Sequence, residues 1–194
     1  MISAIIPAAG ESKRMGRPKM SLPWGNETVL TRVVSIFKNA GVEDIVVVTG
    51  GAREQVERLL ANIEVRTIHN EDHARGGMLS SVQCGMRTLG RQTQAALIGL
   101  GDQPQVRERT VRMVCDAFLE TKSNIVVPSF QMRRGHPWLV ARPLWEQVLE
   151  MKPPQSLRDF LSARRAEIHY VNVDDPNVLA DLDTPEDYEK WRSE

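Results

Sequence analysis

The feature that most constrains the fold is a repeated alternation between short, continuously apolar runs and longer segments with a helical apolar stripe. Continuous runs occupy residues 2–7, 44–49 and 95–100, whereas 28–40 shows apolar residues recurring on one side of a helix. Runs that are apolar throughout are typical of strands buried on both faces of a parallel sheet. The alternation therefore predicts an α/β fold with a mainly parallel central sheet and helices on both faces.

The rest of the chain continues this alternation, and it ends in TPEDYEKW, which has the pattern of a helix start with Thr184 as N-cap, Pro185 in the first turn and Asp187 closing a capping box. Further strands are predicted at 65–69, 124–130, 137–140 and 168–173, and further helices at 53–61, 78–89, 107–121, 143–151 and 157–164.

Size and charge narrow the classes of protein to which the chain can belong. It has 194 residues, 25 basic and 25 acidic, and a formal net charge of zero. This length predicts a single domain over 1–194, and the neutral balance argues against a nucleic-acid binder. We expect no membrane span, because no segment approaches the ~20 apolar residues required. Cys84 and Cys115 lack metal-site spacing, so we expect reduced thiols in a cytoplasmic protein.

A loop with little side-chain bulk and much positive charge, AAGESKRMGRPK, follows the first predicted strand. Ala8, Ala9 and Gly10 allow main-chain N–H groups to approach a ligand closely. The basic side chains that follow, including Arg14 and Lys19, supply charge for phosphates. The pattern predicts a phosphate-binding loop, with a solvated basic turn as the alternative.

Two acidic motifs also follow predicted strands: GLGDQPQV at 99–106 and DLDTPEDY at 181–188. Asp102 lies where ligands bind in parallel sheets, and a carboxylate facing a cationic phosphate loop suits a shared Mg²⁺. Asp181 and Asp183 would point the same way in an extended chain. The alternative for Asp102 is that it caps the next helix. The alternative for Asp183 is that it is only a carboxylate stabilised by the nearby helix N-terminus.

The motifs, in this order, resemble those of the MobA-like NTP transferases, and within that family those that cytidylylate the molybdenum cofactor. The family's signature loop has the form L-A-A-G-x-S-x-R-M-G-x-x-K, from which the chain departs at Pro7. GDQP, D-x-D-T-P-E-D-Y, N-x6-G-x-x-S-S and G-H-P are further matches. The resemblance implies the three-layer, Rossmann-like (GT-A-like) nucleotidyltransferase fold with a mainly parallel central sheet.

The resemblance also implies roles for the charged residues of these motifs. Arg14 would contact the β and γ phosphates of a nucleoside triphosphate, and Lys19 its α phosphate. Asp102 and Asp183 would hold Mg²⁺, with Asp181 in a supporting role.

The uncharged turns would hold the nucleotide, and a basic segment would hold the acceptor. Beside Ala8, Ala9 and Gly10, the resemblance places Gly77, Ser80 and Ser81 near the base and ribose, although the two serines could equally cap the following helix. Arg134 and His136 would bind the acceptor phosphate. A structural histidine in a turn is the alternative for His136.

The implied reaction transfers CMP from CTP to molybdopterin or its molybdenum-loaded form and releases pyrophosphate. A molybdenum hydroxylase or its maturation chaperone is a further partner that it suggests. The chemistry could instead use GTP or a sugar or polyol phosphate acceptor. A glycosyltransferase on the same fold and a non-catalytic cofactor-binding protein are the remaining alternatives.

Overall fold

The computed structural model describes residues 1–10 and 15–192. Within them the strands are β1 (Ile2–Ala8), β2 (Pro23–Trp24), β3 (Glu27–Thr28), β4 (Asp44–Thr49), β5 (Arg66–His69), β6 (Ala95–Ile98), β7 (Ile125–Phe130), β8 (Arg133–Arg134), β9 (Trp138–Ala141) and β10 (Ile168–Asn172). The helices are α1 (Val29–Asn39), α2 (Arg53–Leu60), α3 (His73–Arg87), α4 (Glu108–Thr121), α5 (Trp145–Glu150), α6 (Leu157–Ala163) and α7 (Pro185–Arg192).

The central sheet has the strand order β10–β7–β9–β6–β1–β4–β5, and β8 pairs with β7. β1 runs parallel to both β4 and β6, β4 is parallel to β5, and β7 is parallel to β10. The predicted α/β architecture with a mainly parallel sheet is therefore confirmed. Parallel strands end at the same edge of a sheet, so the loops after β1, β4 and β6 meet there.

Two strands of the described sheet depart from this direction, and the shorter of them is β8, which is antiparallel to β7. β9 is antiparallel to both β6 and β7, and it joins the two parallel parts of the sheet. The hairpin of β2 and β3 was not predicted from the sequence, because each of its strands has only two residues. Such short strands carry no periodic pattern that a sequence can reveal.

Helices cover both faces of the sheet. Helices α1, α2 and α4 pack on one face with strand residues such as Ile6, Val47 and Leu97. Helices α3, α5 and α6 pack on the other face with residues such as Ile5 and Val46. Neighbouring strand residues thus point into opposite cores, which explains why the runs are apolar throughout.

A third, smaller cluster packs residues 15–29 against residues 182–188. Met15, Leu22 and Val29 pack with Leu182 and Tyr188. The hydroxyl of Tyr188 also donates a hydrogen bond to the carbonyl oxygen of Pro23. This cluster holds the segment before α7 beside the turn that carries Lys19.

The predicted capping box of α7 is present. The Asp187 backbone N–H donates to Thr184 Oγ1 over 3.2 Å, and the Thr184 N–H donates to Asp187 Oδ2 over 2.9 Å. Across the described parts of the chain, no helix combines the length and the apolar character that crossing a bilayer requires.

Candidate active site

Lys19, Asp102 and Asp183 meet where the turns after β1 and β6 approach the segment before α7. Lys19 begins a 3-10 turn over Lys19–Ser21 and is buried, with 9% of its surface exposed. Its ammonium forms a short ion pair with the Asp102 carboxylate and lies 3.5 Å from Asp183 Oδ1. It also donates a hydrogen bond of 3.2 Å to the carbonyl oxygen of Leu182. Three predicted site residues that are distant in sequence therefore contact one another through the Lys19 ammonium.

The two acidic motifs are fastened to each other by the side chain of Gln103. Its amide donates to the Ala180 carbonyl oxygen over 2.9 Å and to Asp181 Oδ1 over 2.8 Å. The Leu182 N–H also donates to the carbonyl oxygen of Asp102 over 3.4 Å. These bonds hold Asp183 beside Asp102.

Three carboxylates in this small region influence one another. Burial raises the pKa of Asp181, and the negative charges of Asp102 and Asp183 raise it further. The hydrogen bond from Gln103 and the charge of Lys19 act in the opposite direction. Asp181 therefore differs from Asp102 in its main partner: Asp181 accepts a hydrogen bond from Gln103, whereas Asp102 forms an ion pair with Lys19.

The oxygen atoms around the Lys19 ammonium suit a hard cation. They comprise two carboxylates, those of Asp102 and Asp183, and the main-chain carbonyl of Leu182. Mg²⁺ and similar ions prefer oxygen ligands and commonly use one or two carboxylates with substrate phosphates and waters. No group of three or more histidine, cysteine or acidic side chains in 1–10 and 15–192 is arranged to hold a metal. A cation at this place would add water or substrate phosphate oxygens to the two carboxylates.

A cavity of about 270 Å³ opens beside this cluster. It is lined by predicted site residues from four separate segments, namely Ala9, Gly10, Lys19, Gly77, Ser81, Asp102 and Asp183. Ala8, also predicted to bind the nucleotide, is buried at the end of β1 and is not among the lining residues. Arg14 lies outside the described residues. The charged part of the lining holds one lysine and three aspartates, Asp102, Asp181 and Asp183, so it suits phosphates that bind together with a cation. The small uncharged part leaves room for the rest of a nucleotide.

The turn at Gly77 has a local structural explanation. Gly77 interrupts α3 with φ 55° and ψ −144°, a conformation that a residue with a side chain rarely adopts. The Asn70 amide donates to Ser80 Oγ over 2.8 Å and to Ser81 Oγ over 3.1 Å. Both hydroxyls donate back to the carbonyl oxygen of Gly77. The serines therefore shape the turn, and of the two only Ser81 lines the cavity, because Ser80 faces a separate one of about 400 Å³.

A second, larger cavity of about 1150 Å³ lies between β8, α6 and β10. Its lining includes the arginines Arg133, Arg134, Arg158 and Arg165 and, among the described residues, no aspartate or glutamate. Arg134 is oriented by Tyr170, whose hydroxyl accepts a 3.0 Å hydrogen bond from its Nε. The cavity therefore suits an anionic molecule.

His136 lines this larger cavity and lies close enough to Asp102 to be affected by its charge. Burial lowers the pKa of the imidazole to about 4, and the negative charge of Asp102 only partly opposes this effect. The ring is therefore neutral at pH 7 and can offer a hydrogen bond, but no positive charge. Its backbone N–H donates to the carbonyl oxygen of Val178 over 3.0 Å, which holds this turn against the segment before α7.

Sequence reasoning missed several residues at or near these cavities. Gly50, after β4, lies so close to the predicted phosphate-binding loop that a Cβ would sit 2.6 Å from the carbonyl oxygen of Ala9. His73 lines the smaller cavity, and Arg158 and Arg165 line the larger one. The cluster of arginines after residue 157 was a signal for the last two. Neither Gly50 nor His73 lies in a recognisable motif.

Comparison with known proteins agrees with this geometry. The MobA-like NTP transferase domain matches residues 4–168. The molybdenum cofactor cytidylyltransferase of Escherichia coli is 30% identical over 96% of this chain and 93% of its own. A probable molybdenum cofactor guanylyltransferase of Bacillus cytotoxicus is 24% identical over 96% of this chain and 94% of its own.

A solved structure extends the agreement to the fold. A nucleotidyl transferase from Methanothermobacter thermautotroptrophicus superposes with a TM-score of 0.84 at 25% identity, covering 100% of this chain and 96% of the other. The matched domain spans most of the sequence, and the cytidylyltransferase aligns with nearly all of it. The chain therefore belongs to the MobA-like NTP transferase family and is a nucleotidyltransferase.

Proposed function

We propose that this nucleotidyltransferase transfers CMP from CTP to molybdopterin or its molybdenum-loaded form, with Mg²⁺ as the metal and pyrophosphate as the leaving group. In this proposal residues 1–194 act as a single domain in the cytoplasm. The observation that carries it is the meeting of Lys19, Asp102 and Asp183 beside a cavity lined by small residues. A cation-binding pair of acids and a phosphate-binding lysine are the groups that transfer of a nucleotidyl group needs.

In the proposed reaction, the acceptor's terminal phosphate forms a bond to the α-phosphorus of CTP as the bond to pyrophosphate breaks. Asp102 and Asp183 would hold Mg²⁺, which neutralises phosphate charge when bound. Lys19 stabilises the charge that develops on the α-phosphate, and Arg14 contacts the β and γ phosphates. The protein's contribution is alignment and charge stabilisation, so no side chain needs to form a covalent intermediate.

The larger cavity is the proposed acceptor site. Its four arginines favour an acceptor with more than one anionic group, and His136 lines the same cavity within range of the charge of Asp102. A phosphate monoester is already ionised at neutral pH. The neutral imidazole of His136 is therefore assigned to positioning the acceptor and not to removing a proton from it.

CTP is preferred over GTP on two grounds. Ala8 and Ala9 stand where the guanylyl-transferring relatives typically have glycines, and the methyl group of Ala9, which lines the smaller cavity, leaves slightly less room for a purine edge. The relative that is named as a cytidylyltransferase is also more similar to this chain than the one named as a probable guanylyltransferase, at 30% against 24% identity.

Pyrophosphate release tests the proposal directly. The purified protein is incubated with Mg²⁺, molybdopterin and each of the four common nucleoside triphosphates in turn, with a sugar phosphate and a polyol phosphate as control acceptors. We expect release from CTP with molybdopterin only. Release from GTP, or with a control acceptor, would replace the proposed substrates. No turnover with any pair would favour a non-catalytic cofactor-binding protein.

A further inference from the structure

The ammonium of Lys19 occupies the position between the two carboxylates that are proposed to hold the metal. It forms its short ion pair with Asp102, lies 3.5 Å from Asp183 Oδ1, and donates to the Leu182 carbonyl oxygen. These three groups are buried to different degrees, with side-chain exposures of 11% for Lys19, 18% for Asp102 and 34% for Asp183. The ammonium is therefore well shielded, and its charge offsets part of the repulsion between the two acids.

A divalent ion and this ammonium cannot use the same oxygen atoms at once. Mg²⁺ binds carboxylate oxygens at about 2.1 Å, well inside hydrogen-bond distance. An ammonium that contacts the same carboxylates would then lie within a few ångströms of a double positive charge, in a partly buried site where repulsion is weakly screened. A metal on Asp102 Oδ2 and Asp183 Oδ1 would thus displace Lys19, and charge repulsion would favour the same displacement if the metal used the other oxygen of each carboxylate.

The triphosphate is the anion that the neighbouring cavity can supply. Lys19 lines that cavity together with Ala9 and Gly10, and its four-carbon stem is flexible enough to turn from the acids to a phosphate. If Lys19 exchanges the carboxylates for a phosphate, its positive charge has a negative partner both before and after the move.

We infer that Lys19 is the resident counter-cation of Asp102 and Asp183, so that the metal enters only as the nucleotide draws Lys19 away. This inference rests on the proposed function, because it takes the nucleotide triphosphate as the anion that accepts Lys19. It adds a binding order: the free enzyme holds divalent metal weakly, and metal affinity rises when the triphosphate is bound. Lys19 therefore sets the metal affinity in addition to contacting the α-phosphate.

Titration with Mn²⁺, followed by electron paramagnetic resonance of the free ion, tests this order without turnover. We expect Lys19→Met to bind Mn²⁺ at least tenfold more tightly than the unsubstituted protein when no nucleotide is present. Lys19→Arg keeps the cation and should stay close to the unsubstituted protein. Lys152→Met, an exposed lysine outside both cavities, is the matched control and should change nothing.

Adding a non-hydrolysable CTP analogue completes the test. It should tighten Mn²⁺ binding by tenfold or more in the unsubstituted protein and by much less in Lys19→Met. Unchanged or weaker Mn²⁺ binding by nucleotide-free Lys19→Met, with circular dichroism showing a folded protein, would overturn the inference. If Lys19→Met does not fold, equal Mn²⁺ affinity of the unsubstituted protein with and without the analogue would overturn it instead.

The outcome also separates this inference from the proposed function. If the analogue binds and tightens Mn²⁺ binding equally in both proteins, the nucleotide site stands and the role of Lys19 as counter-cation fails. If the analogue does not bind to the unsubstituted protein while Lys19→Met still tightens Mn²⁺ binding, the counter-cation role stands and the proposed substrate fails.

Discussion

The side-chain amide of Gln103 donates a 2.8 Å hydrogen bond to Asp181 Oδ1 and a 2.9 Å hydrogen bond to the Ala180 carbonyl oxygen. Gln103 is almost completely buried, and it follows Asp102 directly. Through these bonds, the turn that presents Asp102 also determines where Asp183 lies. The geometry of the acidic pair therefore depends on a residue that carries no charge.

Replacing Gln103 by Leu should lower both stability and activity. The substitution keeps the volume and removes the donor to the Asp181 carboxylate, whereas the Ala180 carbonyl keeps a second donor, the side-chain amide of Gln105. Loss of such a hydrogen bond costs about 0.5–1.5 kcal/mol. Urea unfolding would measure the loss, and pyrophosphate release would show a lower kcat as Asp183 shifts. Gln92→Leu, at an exposed position, is the control. Equal effects of the two substitutions would contradict the role of Gln103.

Gly50→Ala should disturb the phosphate loop. A Cβ at this position would sit 2.6 Å from the carbonyl oxygen of Ala9 and 2.7 Å from its Cβ, so the loop must shift. We expect a higher KM for the nucleotide and a loss of stability of about 1–3 kcal/mol, as for other overpacked sites. Gly90→Ala adds its Cβ in open space and should behave like the unsubstituted protein. A normal nucleotide KM for Gly50→Ala would show that the loop adapts without cost.

The partly buried imidazole of His136 predicts a pH dependence of stability. Its pKa falls from 6.5 to about 4 on folding, so between these values the unfolded chain binds a proton that the folded protein excludes. The free energy of unfolding should therefore fall as the pH drops from about 6.5 towards about 4, and this effect should be absent above that range. Urea unfolding of the unsubstituted protein and of His136→Gln across this interval measures it. The same slope in both proteins would remove His136 as the cause.

Arg134→Ala should weaken acceptor binding and leave nucleotide binding unchanged. Loss of a charge-assisted hydrogen bond costs about 1.5–3 kcal/mol, which corresponds to a KM for the acceptor roughly tenfold to a hundredfold higher. Tyr170→Phe removes only the group that orients Arg134 and should have a smaller effect in the same direction. Steady-state kinetics with each substrate varied would measure both changes. An increase confined to the KM for CTP would move Arg134 to the nucleotide site.

Much of the scaffold was predictable from the sequence because it depends on local pattern. The apolar run at residues 44–49 is β4 without any change of bounds, and the stripe at 28–40 is α1 with Thr28 as its N-cap. The helix predicted at 78–89 was only partly right. The helix begins at His73 and is interrupted at Gly77. Its first turn was missed because Gly76 and Gly77 obscure the helical pattern in the sequence.

The contacts that form the site are less visible in a sequence because they join distant segments. The sequence predicted that Lys19, Asp102 and Asp183 would share one place, through motifs that follow strands and through family resemblance. It did not predict that Lys19 would contact both acids, nor that Gln103 would bind Asp181. Such pairings depend on how the turns pack, which no local pattern records. The antiparallel direction of β9 was missed for the same reason.

The measurement that tests the central claim most directly is pyrophosphate release from CTP by Asp102→Ala in the presence of Mg²⁺ and molybdopterin. If Asp102 and Asp183 hold the ion on which transfer depends, activity should fall by orders of magnitude while the far-ultraviolet circular dichroism spectrum stays that of the folded protein. Asp183→Ala should fall in the same way, whereas Asp116→Ala, outside both cavities, should keep its activity. Near-normal release by folded Asp102→Ala would contradict the account.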